Sequence, residues 1–272
     1  MPLSASPRTA LVTGADAGLG REIVRLLAAE RGTVLLHART PEAAEQARQQ
    51  LAGEGRAVDR IVPMGADFTD LGQVAALAQR VAREYPRVDL LVNNAGVFGS
   101  PSRAVTGDSH EVTFQVNYLA PYLLTRLLWP ALTAKPGSRV INVSSALHRG
   151  GRVHWGDVES SKRYSAVAAY AQSKLALNLF TRAVAVRGGA DLIAVGVHPG
   201  VLATDMVRNY TRDTGRPAAE GAAAILALAN GRVEDGAYYE GVAESVPNTL
   251  MDDKSSVDRL WKLSARLVGL AA

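Results

Sequence analysis

A short apolar run, Thr9-Ala-Leu-Val-Thr13, passes directly into Gly14-Ala-Asp-Ala-Gly18-Leu-Gly20, and Ile23, Val24, Leu26 and Leu27 then mark a helix that Gly32 stops. Strand, glycine turn and helix in this order form a phosphate cradle. Glycines let backbone N–H groups approach a pyrophosphate, and the helix N-terminus adds partial positive charge. The spacing Gly-x3-Gly-x-Gly departs from the Gly-x-Gly-x-x-Gly fingerprint, so an ordinary tight turn remains the competing reading.

The pattern continues down the chain. Thr33-Val-Leu-Leu-His37 reads as a second strand, followed by Thr40-Pro41-Glu42, a capping hydroxyl with proline at the first helical position. Ile61-Val-Pro-Met-Gly65 is a third strand, ending at Asp67 and Phe68. Leu71, Val74, Leu77, Ala78 and Val81 then recur at helical spacing, and Asp89-Leu-Leu-Val-Asn93 runs into Asn94-Ala95-Gly96. Arg139-Val-Ile-Asn-Val143 delivers Ser144 and Ser145. Strands alternating with helices imply a doubly wound parallel sheet, a Rossmann-type α/β fold flanked by helices on both faces. Ligands in such sheets sit beyond the C-terminal strand ends, where Gly14, Arg39, Asp67 and Asn94 would gather.

Between the second strand and its helix stand Ala38 and Arg39, where an acid would hold ribose hydroxyls. A guanidinium suited to phosphate with no acid beside it favours NADP(H), with NAD(H) possible if Arg39 is an incidental surface residue. From Asp108 to Thr133 a helical pattern encloses Asn117 among Phe114, Val116, Leu119, Leu123 and Leu124. A buried amide there is either structural or holds a water that relays protons.

Tyr170-Ala-Gln-Ser-Lys174 places a phenol and an ammonium one helical turn apart. A phenol near its ordinary pKa is a poor proton donor at neutral pH, and bringing it into range takes roughly 3 units. One cation about 4 Å away supplies on the order of 4 kcal/mol at an effective dielectric near 20, enough for that shift. An unrelated Tyr and Lys on a solvated helix face is the alternative.

At 272 residues and 47% hydrophobic content, the chain can bury one large core, and no linker divides it. One domain over residues 1–272 is expected. The net charge of +4 is spread as scattered Arg among acids, with no basic block interleaved with aromatics, so nucleic acid is not an expected partner. The absence of Cys excludes disulfides and thiolate chemistry. Only eight residues precede the first apolar run, and no stretch approaches a membrane span, so a cytoplasmic protein without membrane contact is expected. No metal is expected either, since His148 and His154 lack further ligands at suitable spacing.

Taken together, Thr13-Gly14-x3-Gly18-x-Gly20, Asn93-Asn94-Ala95-Gly96, Asn117, Ser145, Tyr170-x3-Lys174 and Pro199-Gly200 resemble a short-chain dehydrogenase/reductase over nearly the whole chain. Val143-Ser-Ser145, Ala169-Tyr-x-Gln-Ser-Lys-Leu175, Phe180-Thr-Arg182, His198-Pro-Gly-Val201 and Leu260-Trp-x2-Ser264 resemble its retinol-dehydrogenase-like branch. The resemblance implies an oxidoreductase that interconverts a carbonyl and an alcohol by hydride transfer. It implies that Tyr170 exchanges a proton with the substrate oxygen, that Lys174 lowers its pKa and can hold the nicotinamide ribose, and that Ser145 donates a hydrogen bond to the same oxygen. Ser145 is chosen over Ser144 because the gap of 25 residues to Tyr170 matches that branch. Asn117 would complete a proton relay through Lys174. Gly14, Ala17, Gly18, Leu19, Gly20, Arg39, Asp67, Phe68, Asn94, Ala95, Gly96, Pro199, Gly200, Val201 and Thr204 would meet the dinucleotide.

The stretch between Ser145 and Tyr170 is long for a strand-to-helix connection, so a lid is expected near 146–165 and a second flap near 201–216. Ser145, Leu147, Trp155, Met206 and Tyr210 would shape the mouth for a small apolar ketone, aldehyde or alcohol. Homo-oligomers through the Asn117 and Tyr170 helices occur in the family, and the oligomeric state is left open. The competing functions are a silent NADP(H)-binding regulator and a redox-neutral epimerase or dehydratase on the same scaffold.

Overall fold

A computed structural model describes residues 8–30, 32–56, 58–204 and 215–271. Their core is an eight-stranded sheet of β1 (Thr9–Val12), β2 (Thr33–Ala38), β3 (Ile61–Gly65), β4 (Leu90–Asn93), β5 (Ser138–Val143), β6 (Leu192–His198), β7 (Tyr238–Glu240) and β8 (Ala243–Glu244). The order is β3-β2-β1-β4-β5-β6-β7-β8. The first seven strands are parallel, and β8 returns antiparallel on β7. The central strands are apolar on both faces because helices cover both, as parallel strands joined by right-handed crossovers require.

Each face has its own core. On one, Leu19, Ile23 and Val24 of α1 (Gly18–Leu27), Ala44, Ala47 and Leu51 of α2 (Pro41–Gly53), and Ala222 and Ile225 of the helix Ala218–Asn230 pack on the sheet. On the other, α3 (Leu71–Glu84), the helical run 112–127 and the long helix Ala166–Gly188 do so. Thr40 Oγ1 caps α2 by accepting from Ala43 N at 3.2 Å, as its sequence predicts.

The helix expected from Asp108 starts later. Glu111 caps it by accepting from Thr113 N and Phe114 N, and residues Gln115–Leu119 are wound as a π-helical turn that contains Asn117. One extra residue per turn rotates Asn117 against its neighbours, a device common at functional sites.

The closing helix Lys254–Leu267 lies across the helices that carry Asn117 and Tyr170. Tyr118 Oη meets Ser264 Oγ at 2.6 Å, and Tyr122 Oη donates to the Trp261 carbonyl at 3.1 Å. Trp261 stacks on Phe180, with the guanidiniums of Arg126 and Arg187 over its ring at 4.5 and 4.3 Å. No described helix is long and apolar enough to cross a membrane.

Trp261→Ala empties a buried aromatic site and removes two cation–π contacts. We expect a loss of about 3–5 kcal/mol in urea denaturation.

Candidate active site

The C-terminal ends of β1 to β6 open on one cleft of about 980 Å³, at the point where the strand order reverses between β1 and β4. Its floor at one end is the glycine turn. Gly14 and Gly18 have φ of +60° and +52°, and a Cβ on Gly20 would stand 2.2 Å from the Gly14 carbonyl oxygen. Ala17 precedes α1 without a side-chain cap, and no acid occupies its first turn. Open amides in a turn that excludes side chains fit a diphosphate, so the residues present suit a dinucleotide.

Two side chains brace that turn. Asn94 Nδ2 donates to the carbonyls of Thr13 and Gly14 at 2.8 and 2.9 Å, and Thr13 Oγ1 accepts from Asn94 N and Ala95 N at 3.0 Å each. The Asn94 side-chain amide therefore gives both its donor hydrogens to the turn. Ala17, Leu19, Arg39, Asp67, Phe68, Ala95, Gly96, Pro199, Gly200, Val201 and Thr204 all line the cleft. Phe68 is buried with its ring stacked on His37 at 4.5 Å, and Asp67 Oδ1 accepts from Thr69 N and Oγ1.

At the other end stand the chemical groups. Tyr170 and Lys174 sit on one face of the helix Ala166–Gly188, with Nζ 5.7 Å from the phenol centroid. Lys174 Nζ donates to the Val143 carbonyl at 2.8 Å, and burial lowers its pKa from 10.5 to about 8. Ser145 lines the same cleft, and its hydroxyl favours ionisation of the Tyr170 phenol. Ser144 instead points its hydroxyl back to the Lys174 carbonyl. Of the two serines, Ser145 is the one that acts on the phenol.

The expected acidification of Tyr170 is not supplied by the side chains alone. Burial pushes the phenol up to about 12, with the Ser145 hydroxyl pulling the other way. Removing water from the phenolate outweighs the neighbouring groups.

Asn117 is fully buried and its side-chain amide is bonded at both ends. Its Oδ1 accepts from Val97 N at 2.7 Å, while Nδ2 donates to the Val97 carbonyl at 2.9 Å and to Ser173 Oγ at 3.0 Å. The amide clamps the loop after β4 to the Tyr170 helix. The side-chain amide is thereby occupied by positioning contacts.

Leu147 and Val201 line the mouth and are exposed, but Trp155 does not join them. The stretch after Leu147 turns away from the cleft. His154 N donates to Gln172 Oε1 at 2.8 Å, Gln172 Nε2 donates to the Val158 carbonyl at 2.9 Å, and Trp155 lies under Arg259 of the closing helix at 4.4 Å. Between His148 and Ser165 no described residue lines the cleft, so the expected lid is a strap over the outside of the Tyr170 helix. Met206 and Tyr210 lie outside the described residues. The sequence reading missed Phe98, whose ring stacks on Tyr170 at 4.7 Å, and His37, Val112 and Val116 in the wall. Phe98 follows Gly96-Val97 directly, which was the available signal.

The short chain dehydrogenase family profile matches residues 8–215. Retinol dehydrogenase 13 of Mus musculus is 34% identical over 97% of this chain and 84% of its own length. The candidate daunorubicin C-13 ketoreductase DnrU of Streptomyces sp. (strain C5) is 36% identical over 96% and 93%. A crystal structure of NADPH-bound carbonyl reductase from chicken fatty liver superposes with a TM-score of 0.69 at 26% identity, over 89% of this chain and 99% of that one. The chain belongs to the short chain dehydrogenase family, with a retinol-dehydrogenase-like sequence. It is an NAD(P)-dependent oxidoreductase of the class acting on alcohols and carbonyls.

Lys174 supplies a pH test. Between pH 8 and 10.5 the unfolded lysine holds its proton and the buried one does not, so its presence makes stability rise with pH across that window. We expect the stability of wild type relative to Lys174→Met to increase by on the order of 3 kcal/mol from pH 8 to 10.5 in urea denaturation. A flat difference would show that the ammonium is solvated.

Proposed function

We propose that this chain is an NADP(H)-dependent oxidoreductase that interconverts a small apolar ketone or aldehyde and its alcohol. The observation that carries this reading is that Tyr170, Lys174 and Ser145 share one cleft with the glycine turn, with Lys174 Nζ 5.7 Å from the phenol centroid. When bound, the nicotinamide supplies or accepts the hydride. Tyr170 exchanges the proton with the substrate oxygen, and Ser145 donates to the same oxygen as negative charge develops there. Lys174, anchored on Val143, provides positive charge beneath the phenol and can hold a ribose hydroxyl. Asn117 acts through Val97 and Ser173, keeping the loop and the helix at fixed separation.

Polarity along the cleft supports the substrate class. Asp16, Arg39 and Asp67 follow the ends of β1, β2 and β3, whereas Phe98 stacks on Tyr170 and Leu147 stands exposed two residues after Ser145. An apolar carbonyl compound matches that wall, with only its oxygen meeting polar side chains. The NADPH of the chicken enzyme and the ketone named for the Streptomyces relative agree with this reading.

For the dinucleotide, Arg39 is exposed in the cleft and its neighbours in sequence, Ala38 and Thr40, are not acids. A guanidinium there pairs with a 2′-phosphate. We expect Arg39→Ala to weaken NADPH by roughly 10- to 100-fold in a fluorescence titration while leaving NADH within about twofold. Equal effects on both would contradict the NADP(H) preference.

Turnover gives the second test. With a panel of apolar ketones and aldehydes, we expect Tyr170→Phe to keep its NADPH affinity and to lose about a thousandfold in kcat. Near-normal turnover in that variant would remove Tyr170 from the reaction. NADPH binding without consumption by wild type across the panel would favour the silent-regulator reading.

A further inference from the structure

His37, the penultimate residue of β2, has its ring inside the cleft wall, 2% exposed. Its Nδ1 accepts the N–H of Gly14 at 3.2 Å, and its Nε2 faces the Ala66 carbonyl at 2.9 Å. A peptide N–H only donates and a carbonyl only accepts, so these partners assign one tautomer. The proton is on Nε2, the Nδ1 lone pair is bare, and the ring is neutral. Burial favours the same state, holding the pKa near 4 although Asp16, Asp67 and the Ala66 carbonyl favour the charged ring.

What the ring joins is the informative part. Gly14 opens the phosphate turn at φ +60°, in a space that Ala95 closes to any side chain. Ala66 and Phe68 form the wall beyond β3, and Phe68 stacks on the imidazole with an interplanar angle of 27°. One ring therefore spans two sides of the dinucleotide half of the cleft. A second contact from the same residue, its carbonyl accepting from Ala15 N at 2.7 Å, ties the turn again.

We propose that His37 is a positioning residue for the dinucleotide, a neutral crossbar that sets the separation between the glycine turn and the β3 wall. It rests on the dinucleotide reading above and needs no turnover to be tested. A merely space-filling histidine would be replaced without loss of binding by a ring of similar size. His37→Phe retains the ring on Phe68 and removes both hydrogen bonds, whereas His37→Asn keeps an acceptor at the δ position facing Gly14.

The experiment is an NADPH fluorescence titration of wild type, His37→Phe and His37→Asn, with kcat measured at saturating NADPH. We expect His37→Phe, which gives up both ring hydrogen bonds, to raise the NADPH Kd by on the order of tenfold, with kcat within about twofold of wild type. His37→Asn recovers most of that affinity. His37→Phe binding as tightly as wild type, or His37→Asn binding no better than His37→Phe, would overturn the proposal. A readout that needs no variant is the ¹⁵N spectrum of the His37 ring at neutral pH. Protonated Nε2 with bare Nδ1 supports the crossbar; the opposite tautomer or a charged ring overturns it. Wild type that fails to bind NADPH removes both the crossbar and the dinucleotide reading. Binding with no turnover removes only the proposed reaction.

Discussion

A fully desolvated ammonium is the constraint around which the chemical end of the cleft is built. Lys174 reaches from the middle of its helix to the last carbonyl of β5, and burial disfavours its charge enough to bring the pKa to about 8. That environment costs stability which an apolar side chain would not, a pattern associated with sites where function constrains the residue. Its neighbours are shaped accordingly. Gly96 admits no side chain without crowding Nζ and Asn117 Oδ1, at 3.3 and 3.2 Å from the position of a Cβ. The Asn117 amide then fixes the next residue, Val97, from both its N–H and its carbonyl. Phe98 follows and covers the phenol ring. Cation, loop and phenol are thus one packed unit.

That unit leaves Tyr170 a weaker acid than free tyrosine. The cation is desolvated and bound to a carbonyl, the phenol is almost sealed, and burial dominates at about 12. The side chains alone do not yet form a working acid at neutral pH. An oxidised nicotinamide would carry a positive charge beside the phenol, and the proposed reaction assigns the remaining shift to that charge, against the further loss of water.

Much of this was legible in the sequence because it rests on local patterns. The glycine turn, the five strand runs up to Val143, the capping of α2 and the four-residue spacing of Tyr170 and Lys174 each state their geometry within a few residues. Ser145 was separable from Ser144 only through the gap to Tyr170. What escaped depends on partners far along the chain. His37 reads as another strand residue, because β2 is buried on both faces and its alternation carries no sign of a site. Asn117 reads as a polar residue in an apolar helix, and only the fold supplies Val97 and Ser173 to use its amide. Trp155 reads as aromatic bias near the mouth, but an apolar ring has no direction in a sequence. The closing helix and Arg259 offered it a place outside the cleft. The balance at Tyr170 was equally invisible, since spacing gives the cation and burial is a property of the whole molecule.

The most direct measurement is a pH titration of Tyr170 by ¹³C NMR of tyrosine labelled at the ring carbon bearing oxygen, with and without saturating NADP⁺. We expect the resonance to titrate near 12 in the protein alone and at least roughly 3 units lower with the dinucleotide bound, the shift a useful proton donor requires. A phenol that stays near 12 with NADP⁺ bound, in protein that still turns over, would contradict the assignment of proton exchange to Tyr170.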